Sequence, residues 1–183
     1  MSHAKYLLLI VTLLYAVPSN AKDSKIQPEL ISVDSTDGHY YYEKIVAIDS
    51  LKKEIIYDRL KTWVQANVKT ADNNISFDDK NFSSIITTPT IALEDVNRGL
   101  YQLRRQEFNF KLVISIKDGK YKIAATGFNY YAGESTGGAR FSGALETLDI
   151  PKGYAVVAAR SIDDSFLRFL KSLKSAVKTK ADW

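Results

Sequence analysis

Apolar and polar residues alternate most regularly between Phe108 and Lys117, where Phe108, Phe110, Leu112, Ile114 and Ile116 interleave with Asn109, Lys111, Val113, Ser115 and Lys117. A period of two predicts a half-buried strand. Asp118-Gly119 follows and supplies the two positive-φ residues of a type I′ turn, so Tyr121 to Tyr130 is predicted to return as the hairpin partner. That register sets Ile116 opposite Tyr121, Ile114 opposite Ile123, Leu112 opposite Ala125 and Phe110 opposite Gly127. One face is then apolar. The other carries Lys111, Lys117, Lys120 and Lys122 near the turn, and Thr126, Phe128 and Tyr130 at its far end.

Earlier in the chain, Tyr40 to Ile48 is β-branched and aromatic enough for a first strand, with apolar residues on both parities and no indication of which is inward. Asp49-Ser50 offers a helix cap. Leu51, Ile55, Leu60, Trp63 and Val64 recur at helical spacing, predicting a helix over 51–67. Short strands are expected at Ile75–Phe77 and Ser84–Ile91 around a turn near Asp78-Asp79, with Pro89 marking an edge or a bulge. Residues 92–106 read as charged loop. After the hairpin, 131–160 reads as glycine-rich and then turn-like, with one further short strand at Tyr154–Ala159. Ser161 is expected to cap a closing helix whose stripe is Ile162, Phe166, Phe169, Leu170, Leu173 and Val177. Asp163 and Asp164 would lie in its first turn, with lysines toward its end, in the order the helix dipole favours. Before the first strand, residues 22–39 form a polar arm in which Leu30–Val33 can pair as a strand and Asp34 to Gly38 make a turn. The sum is an α+β domain over residues 40–183, an antiparallel sheet with two helices on one face.

The first residues read differently. Lys5 precedes an apolar run from Tyr6 to Val17, then Pro18, Ser19, Asn20 and Ala21 before Lys22-Asp23. That is the order of a secretory signal peptide cut after Ala21. The run reaches about 18 Å as a helix, short of the roughly 30 Å hydrocarbon core, so no stable membrane anchor is expected. The mature chain is therefore expected to be periplasmic or extracellular. It has no cysteine, which points to bacterial export rather than to a disulfide-stapled secreted domain. The net charge of +4 is no nucleic-acid footprint.

Three segments together resemble a known family. They are Tyr42–Ile48 followed by Ile56-Tyr57-Asp58-Arg59-Leu60-Lys61-Thr62-Trp63, the hairpin Lys117-Asp118-Gly119-Lys120-Tyr121, and the amphipathic helix closing near Trp183. The chain resembles the bacterial exported family of domains of unknown function with a TBP-like (TATA-box-binding-protein-like) fold. The resemblance implies a curved antiparallel sheet in the order β-α-β-β-β-β-α. It brings no activity, no catalytic residue and no licence for DNA binding, because function resides in sites rather than in folds.

Enzyme chemistry finds little to build on. Gly133-Glu134-Ser135-Thr136-Gly137 spells a nucleophile elbow, yet no histidine follows Ser135, and His39 is the mature chain's one imidazole. Gly133 and Gly138 stand at P-loop spacing, with Ala139 where the phosphate-binding lysine belongs. One histidine and no cysteine leave no zinc site of the usual ligands, and no cofactor is implied. Carboxylate hydrolysis of a glycan keeps Glu43, Glu94, Asp95, Glu107, Glu134 and Glu146 as candidates, in no recognisable spacing. Two surfaces remain as binding candidates for an anionic cell-envelope component or an acidic protein. One is the lysine face, Lys111, Lys117 and Lys122, where the same lysines also serve to keep an open sheet from stacking. The other is the glycine-flanked loop carrying Tyr130, Tyr131, Arg140 and Phe141.

Overall fold

The computed structural model describes residues 23–48, 51–68, 77–79, 83–136 and 138–178. The predicted cap Asp49-Ser50, the segment Ile75-Ser76 and the predicted signal peptide lie outside them.

The alternating stretch forms the two longest strands, β8 (Tyr101–Lys117) and β9 (Lys120–Ser135). With β1 (Asp23–Lys25), β2 (Ser32–Val33), β3 (Tyr40–Ala47), β4 (Phe77–Asp79), β5 (Ser84–Thr87), β6 (Thr90–Ala92), β7 (Val96–Arg98), β10 (Phe141–Ala144) and β11 (Asp149–Pro151), they make up the described strands. The helices are α1 (Lys53–Asn67) and α2 (Lys152–Lys178). The main sheet is antiparallel in the order β2-β3-β9-β8-β5-β4. The strands β6 and β7 add to β8, and β10 adds to β9. A separate ribbon pairs β1 with β11.

Both helices cover one face, as expected. Leu112, Ile114, Ile116, Tyr121, Ile123 and Ala125 are buried beneath them. At the core's centre Phe166 meets Phe110 edge-on at 5.2 Å between ring centroids, while Phe108 and Phe128 stack at 5.5 Å. Each fully buried Phe of this kind contributes about 1.5–3 kcal/mol through area removed from water. The first strand's inward parity is Tyr40, Tyr42 and Val46, with Tyr41 and Ile45 facing out.

Several expectations are corrected. The hairpin register holds from Lys117↔Lys120 to Lys111↔Thr126, and then shifts so that Asn109 faces Asn129. Phe110 is therefore not opposite Gly127. Gly127 takes a φ of +63° and makes a bulge, and beyond it inward and outward positions exchange. The turn itself is not type I′, because Asp118 keeps a negative φ and only Gly119, at +69°, is left-handed, as in type II. The start of α1 holds it there: Asp118 Oδ1 accepts the Lys53 N–H at 2.8 Å, and the Gly119 N–H donates to the Leu51 carbonyl at 2.9 Å.

The helix stripe of α1 uses Ile56 and Tyr57, while Ile55 is exposed. Asp78-Asp79 belongs to β4 rather than to a turn. Pro89 interrupts without shifting register, since Thr87↔Leu112 and Thr90↔Asn109 continue one ladder across it. With loop kept at 93–95, residues 92–106 are mostly strand. The strands β7 and β8 meet there in a two-residue turn whose Gly99 has a φ of +58°, as a type II′ turn requires at its first position. Finally, α2 begins at Lys152 rather than Ser161. The segment Tyr154–Ala159 is helix, and Asp163 and Asp164 stand three turns in, free of any role at the N-terminus.

Candidate functional site

The uncovered face of the sheet is built by the outward parity of β3, β9, β8 and β5. Lys117 and Lys120 flank the turn as a cross-strand pair. In the next row Ile45 stands opposite Lys122 and Lys122 opposite Ser115. Glu43, Ala124, Val113 and Ile86 follow, and then Tyr41, Thr126 and Lys111. The floor is small or β-branched, and longer side chains rise at its margins. Ile45 is 62% exposed and Tyr41 is 41% exposed. Lys122 Nζ sits 2.7 Å from Glu43 Oε2, so one of the lysines is neutralised in place. Lys111, Lys117 and Lys120 form no ion pair among the described residues.

The bulge decides the fate of the aromatic positions. Phe128 and Tyr130, expected on the lysine face, are buried instead, Tyr130 at 1% exposure. The Tyr130 hydroxyl donates to Gln106 Oε1 at 2.8 Å, and Gln106 Nε2 donates to the Glu94 carbonyl at 2.7 Å. Burial pushes the Tyr130 pKa well up. It also pushes Tyr121 up to about 12, helped by neighbouring Tyr42, and the Tyr121 hydroxyl has no hydrogen-bond partner among the described residues. Tyr131 takes the outward place, paired between Glu107 and Ser142. It lies about 13 Å along β8 from Lys111, four residues at the strand rise. A strand interrupted by a glycine is the usual mark of a bulge, so the signal was present in the sequence.

The second surface is smaller than the sequence suggests. Residues 130–135 continue β9, and β10 starts at Phe141. Between them the chain is held down: Ser135 Oγ donates to the Ala139 carbonyl at 2.9 Å, and Thr136 exchanges bonds with Gln102. The Tyr154 hydroxyl also donates to the Thr136 carbonyl at 2.9 Å. Phe141 packs on Tyr154, which packs on Tyr101, and Arg140 is exposed. The structure therefore brings Lys111, Lys117, Lys122 and Tyr131 onto one face, sends Tyr130 to the core, and leaves Phe141 at the sheet's end.

The acids tested for hydrolysis are dispersed. Glu43 pairs with Lys122, Glu94 with Arg168 at 2.9 Å, and Glu134 with Arg105 at 3.5 Å. Asp95 accepts the Arg105 N–H, and Glu146 accepts the Tyr40 N–H and lies 3.8 Å from His39. Ser135 lies about 30 Å along β9 from Thr126, the residue level with Tyr41 near His39, so Ser135 and His39 do not meet. Among the described residues no cluster of His, Asp or Glu is arranged to hold a metal.

A groove escapes the sequence reading because α2 starts nine residues earlier than expected. The arm from Asp23 runs beside the first turns of α2, anchored by buried Ile26 and Ile31. Asp163 accepts the N–H groups of Glu29 and Leu30 at 2.8 and 3.0 Å, and its burial raises its pKa against the pull of those bonds. Between arm and helix lies a cavity of about 550 Å³.

Three comparisons bear on this geometry. A family model described as a domain of unknown function, DUF4468, with TBP-like fold matches residues 42–131. Among solved structures, a TBP-like protein from Parabacteroides distasonis superposes with a TM-score of 0.58 at 14% identity, covering 80% of this chain and 97% of that one. A DUF4468 family protein from Bacteroides ovatus superposes at 0.56 and 16% identity, covering 82% and 93%. No curated protein matches the chain.

Proposed function

We propose, for a chain that belongs through residues 42–131 to the DUF4468 family of TBP-like fold, that it is an exported, non-catalytic binding module docking an anionic partner on its uncovered sheet face. The observation that carries this reading is the face itself. Three lysines without ion partners among the described residues rise around a low floor of Ala124, Thr126 and Val113, beside half-exposed Tyr41. A partner with spaced negative charges, an acidic envelope polysaccharide or an acidic protein, complements it. Export rests on the Tyr6–Val17 apolar run and the small residues Ser19 and Ala21. The alternative of a carboxylate hydrolase draws no support from acids that stand apart, most of them held in separate ion pairs or by backbone N–H groups.

The test is binding of polygalacturonate, with neutral dextran as control, by the mature protein and by a Lys111→Glu/Lys117→Glu variant. Polygalacturonate binding that falls at least tenfold in the variant, with a shallower salt dependence, is the expected result. Equal binding by both proteins overturns the assignment of the face.

A further inference from the structure

The cavity between the N-terminal arm and α2 is lined by one continuous helix face. Lys152, Ala155, Val156, Ala159, Arg160, Asp163 and Asp164 recur at three- and four-residue steps, so all of them look toward the arm. Ser24, Lys25, Gln27 and Glu29 close the other side. Because Asp23 pairs with Pro151 and Glu29 is tied to Asp163, arm and helix run side by side in the same direction. This order sorts the charges. Lys25, which faces Asp149 across the β1–β11 ribbon, and Lys152 stand at one end, and Glu29, Asp163 and Asp164 at the other. Between them the floor is Ala155, Val156 and Ala159, with Val156 47% exposed.

Among the described residues Lys25, Lys152, Glu29 and Asp164 make no ion pair, although opposite charges share one groove. Distance separates them. From Lys152 to Asp164 the helix rises about 18 Å, which is the length of about five residues of extended peptide. Helix stability does not account for the arrangement either, because a lysine at the first position of a helix opposes the dipole. Asp163 is committed to the arm through both oxygens, which leaves Glu29 and Asp164 as the free acids. Arg160 stands nearest to them and also borders a neighbouring cavity lined by Glu94, Asp95 and Arg168.

We infer that this groove binds a short extended peptide with free ends, its carboxylate at Lys25 and Lys152, its amino group at Glu29 and Asp164, and small side chains on the alanine floor. The volume falls within the range of small-molecule sites, and the two charged ends set the direction of the chain. The inference is independent of the sheet face, which lies on the other side of the β-sheet from α2.

The experiment is a titration of the mature protein with tetra-alanine, followed by amide chemical shifts. Its N-acetylated, C-amidated and doubly capped forms are compared with it. Free tetra-alanine is expected to shift residues 24–29 and 152–164, and each single cap to weaken binding at least fivefold. In Lys152→Glu the C-amide should cost nothing further, and in Asp164→Asn the N-acetyl group should cost less. Both positions are exposed, so both variants should fold with unchanged thermal midpoints. Equal binding of the free and doubly capped peptides, or no shifts in this groove at millimolar peptide, overturns the inference. Retained binding in Lys111→Glu/Lys117→Glu keeps it distinct from the sheet-face assignment.

Discussion

Gly127 is the residue on which the division between core and open face turns, and its substitution gives a prediction with a definite sign. The glycine has a φ of +63°, and a Cβ built on it meets nothing within 4 Å. A methyl group there causes no clash, and the whole cost is backbone. For an L-residue the left-handed region costs about 1–2 kcal/mol. Against that, Gly→Ala at an unstrained site stabilises by about 0.4–1 kcal/mol through the unfolded chain. Gly127→Ala is thus expected to destabilise by about 1 kcal/mol net, and Gly127→Asn by less, since Asn tolerates this region better. For a domain of this length about 1 kcal/mol corresponds to a fall of roughly 2–4 °C in the thermal midpoint. Deleting Gly127 acts differently. It removes the extra residue of the bulge, so Thr126 stays outward and Phe128 and Tyr130 stay inward on an unbroken ladder, and the deletion variant should still fold. Urea melts of the three variants decide the matter. A neutral or stabilising Gly127→Ala, or a deletion variant that fails to fold, would refute the bulge and the exchange of faces that depends on it.

The same geometry makes further predictions. Ile114→Ala, fully buried, should cost about 2–5 kcal/mol, whereas Lys117→Glu should move stability by under about 1 kcal/mol; the opposite order in chemical denaturation means the faces are inverted. Gly153→Ala places a methyl within 2.2 Å of the Tyr101 ring, so despite the helix preference for Ala it should destabilise by about 1–3 kcal/mol, read by thermal melting. Tyr121 holds its proton up to about pH 12 when folded, while the unfolded chain releases it near 10. Stability is therefore present below pH 10 and falls as pH rises toward 12. Tyr121→Phe should flatten that fall in alkaline urea melts without loss at neutral pH, since the hydroxyl it removes has no partner among the described residues. Asp163→Ala should cost about 1–3 kcal/mol and speed hydrogen exchange at Glu29 and Leu30, and unchanged exchange there would contradict the anchoring of the arm.

Where one residue's pattern decides one residue's place, the sequence was readable. The alternation from Leu112 to Ile116 and the Asp118-Gly119 turn fix the register near the turn, and the structure keeps it through seven pairs of residues up to Thr126. The stripe from Ile162 to Val177 likewise predicts the buried side of α2. Errors gathered where tertiary contact overrides local pattern. Tyr101-Gln102-Leu103-Arg104-Arg105-Gln106 lacks alternation because Arg105 adopts a φ of +52°, which lets Leu103 and Gln106 both face inward. Lys152-Gly153-Tyr154 carries neither a cap nor an acid at its start, yet it is helical. The preceding strand β11 is fixed by the arm, and Tyr101 covers Gly153.

The bulge at Gly127 and the early start of α2 concern the very places from which both candidate surfaces are built. The lysine face is legible because a two-residue turn sets its parity, yet its aromatic end is not, since a single inserted residue sends Phe128 and Tyr130 inward and lifts Tyr131 in their place. The groove is illegible in principle from α2 alone: a helix thought to begin at Ser161 assigns Asp163 and Asp164 to the dipole, and nothing then asks what they face. Once the helix begins at Lys152, the same two acids fall on one stripe with Lys152 and three small residues. The arm supplies Lys25 and Glu29 with matching polarity. The charge pattern that looked like helix capping is better accounted for by the segment lying across it, which is a relation between residues more than a hundred positions apart.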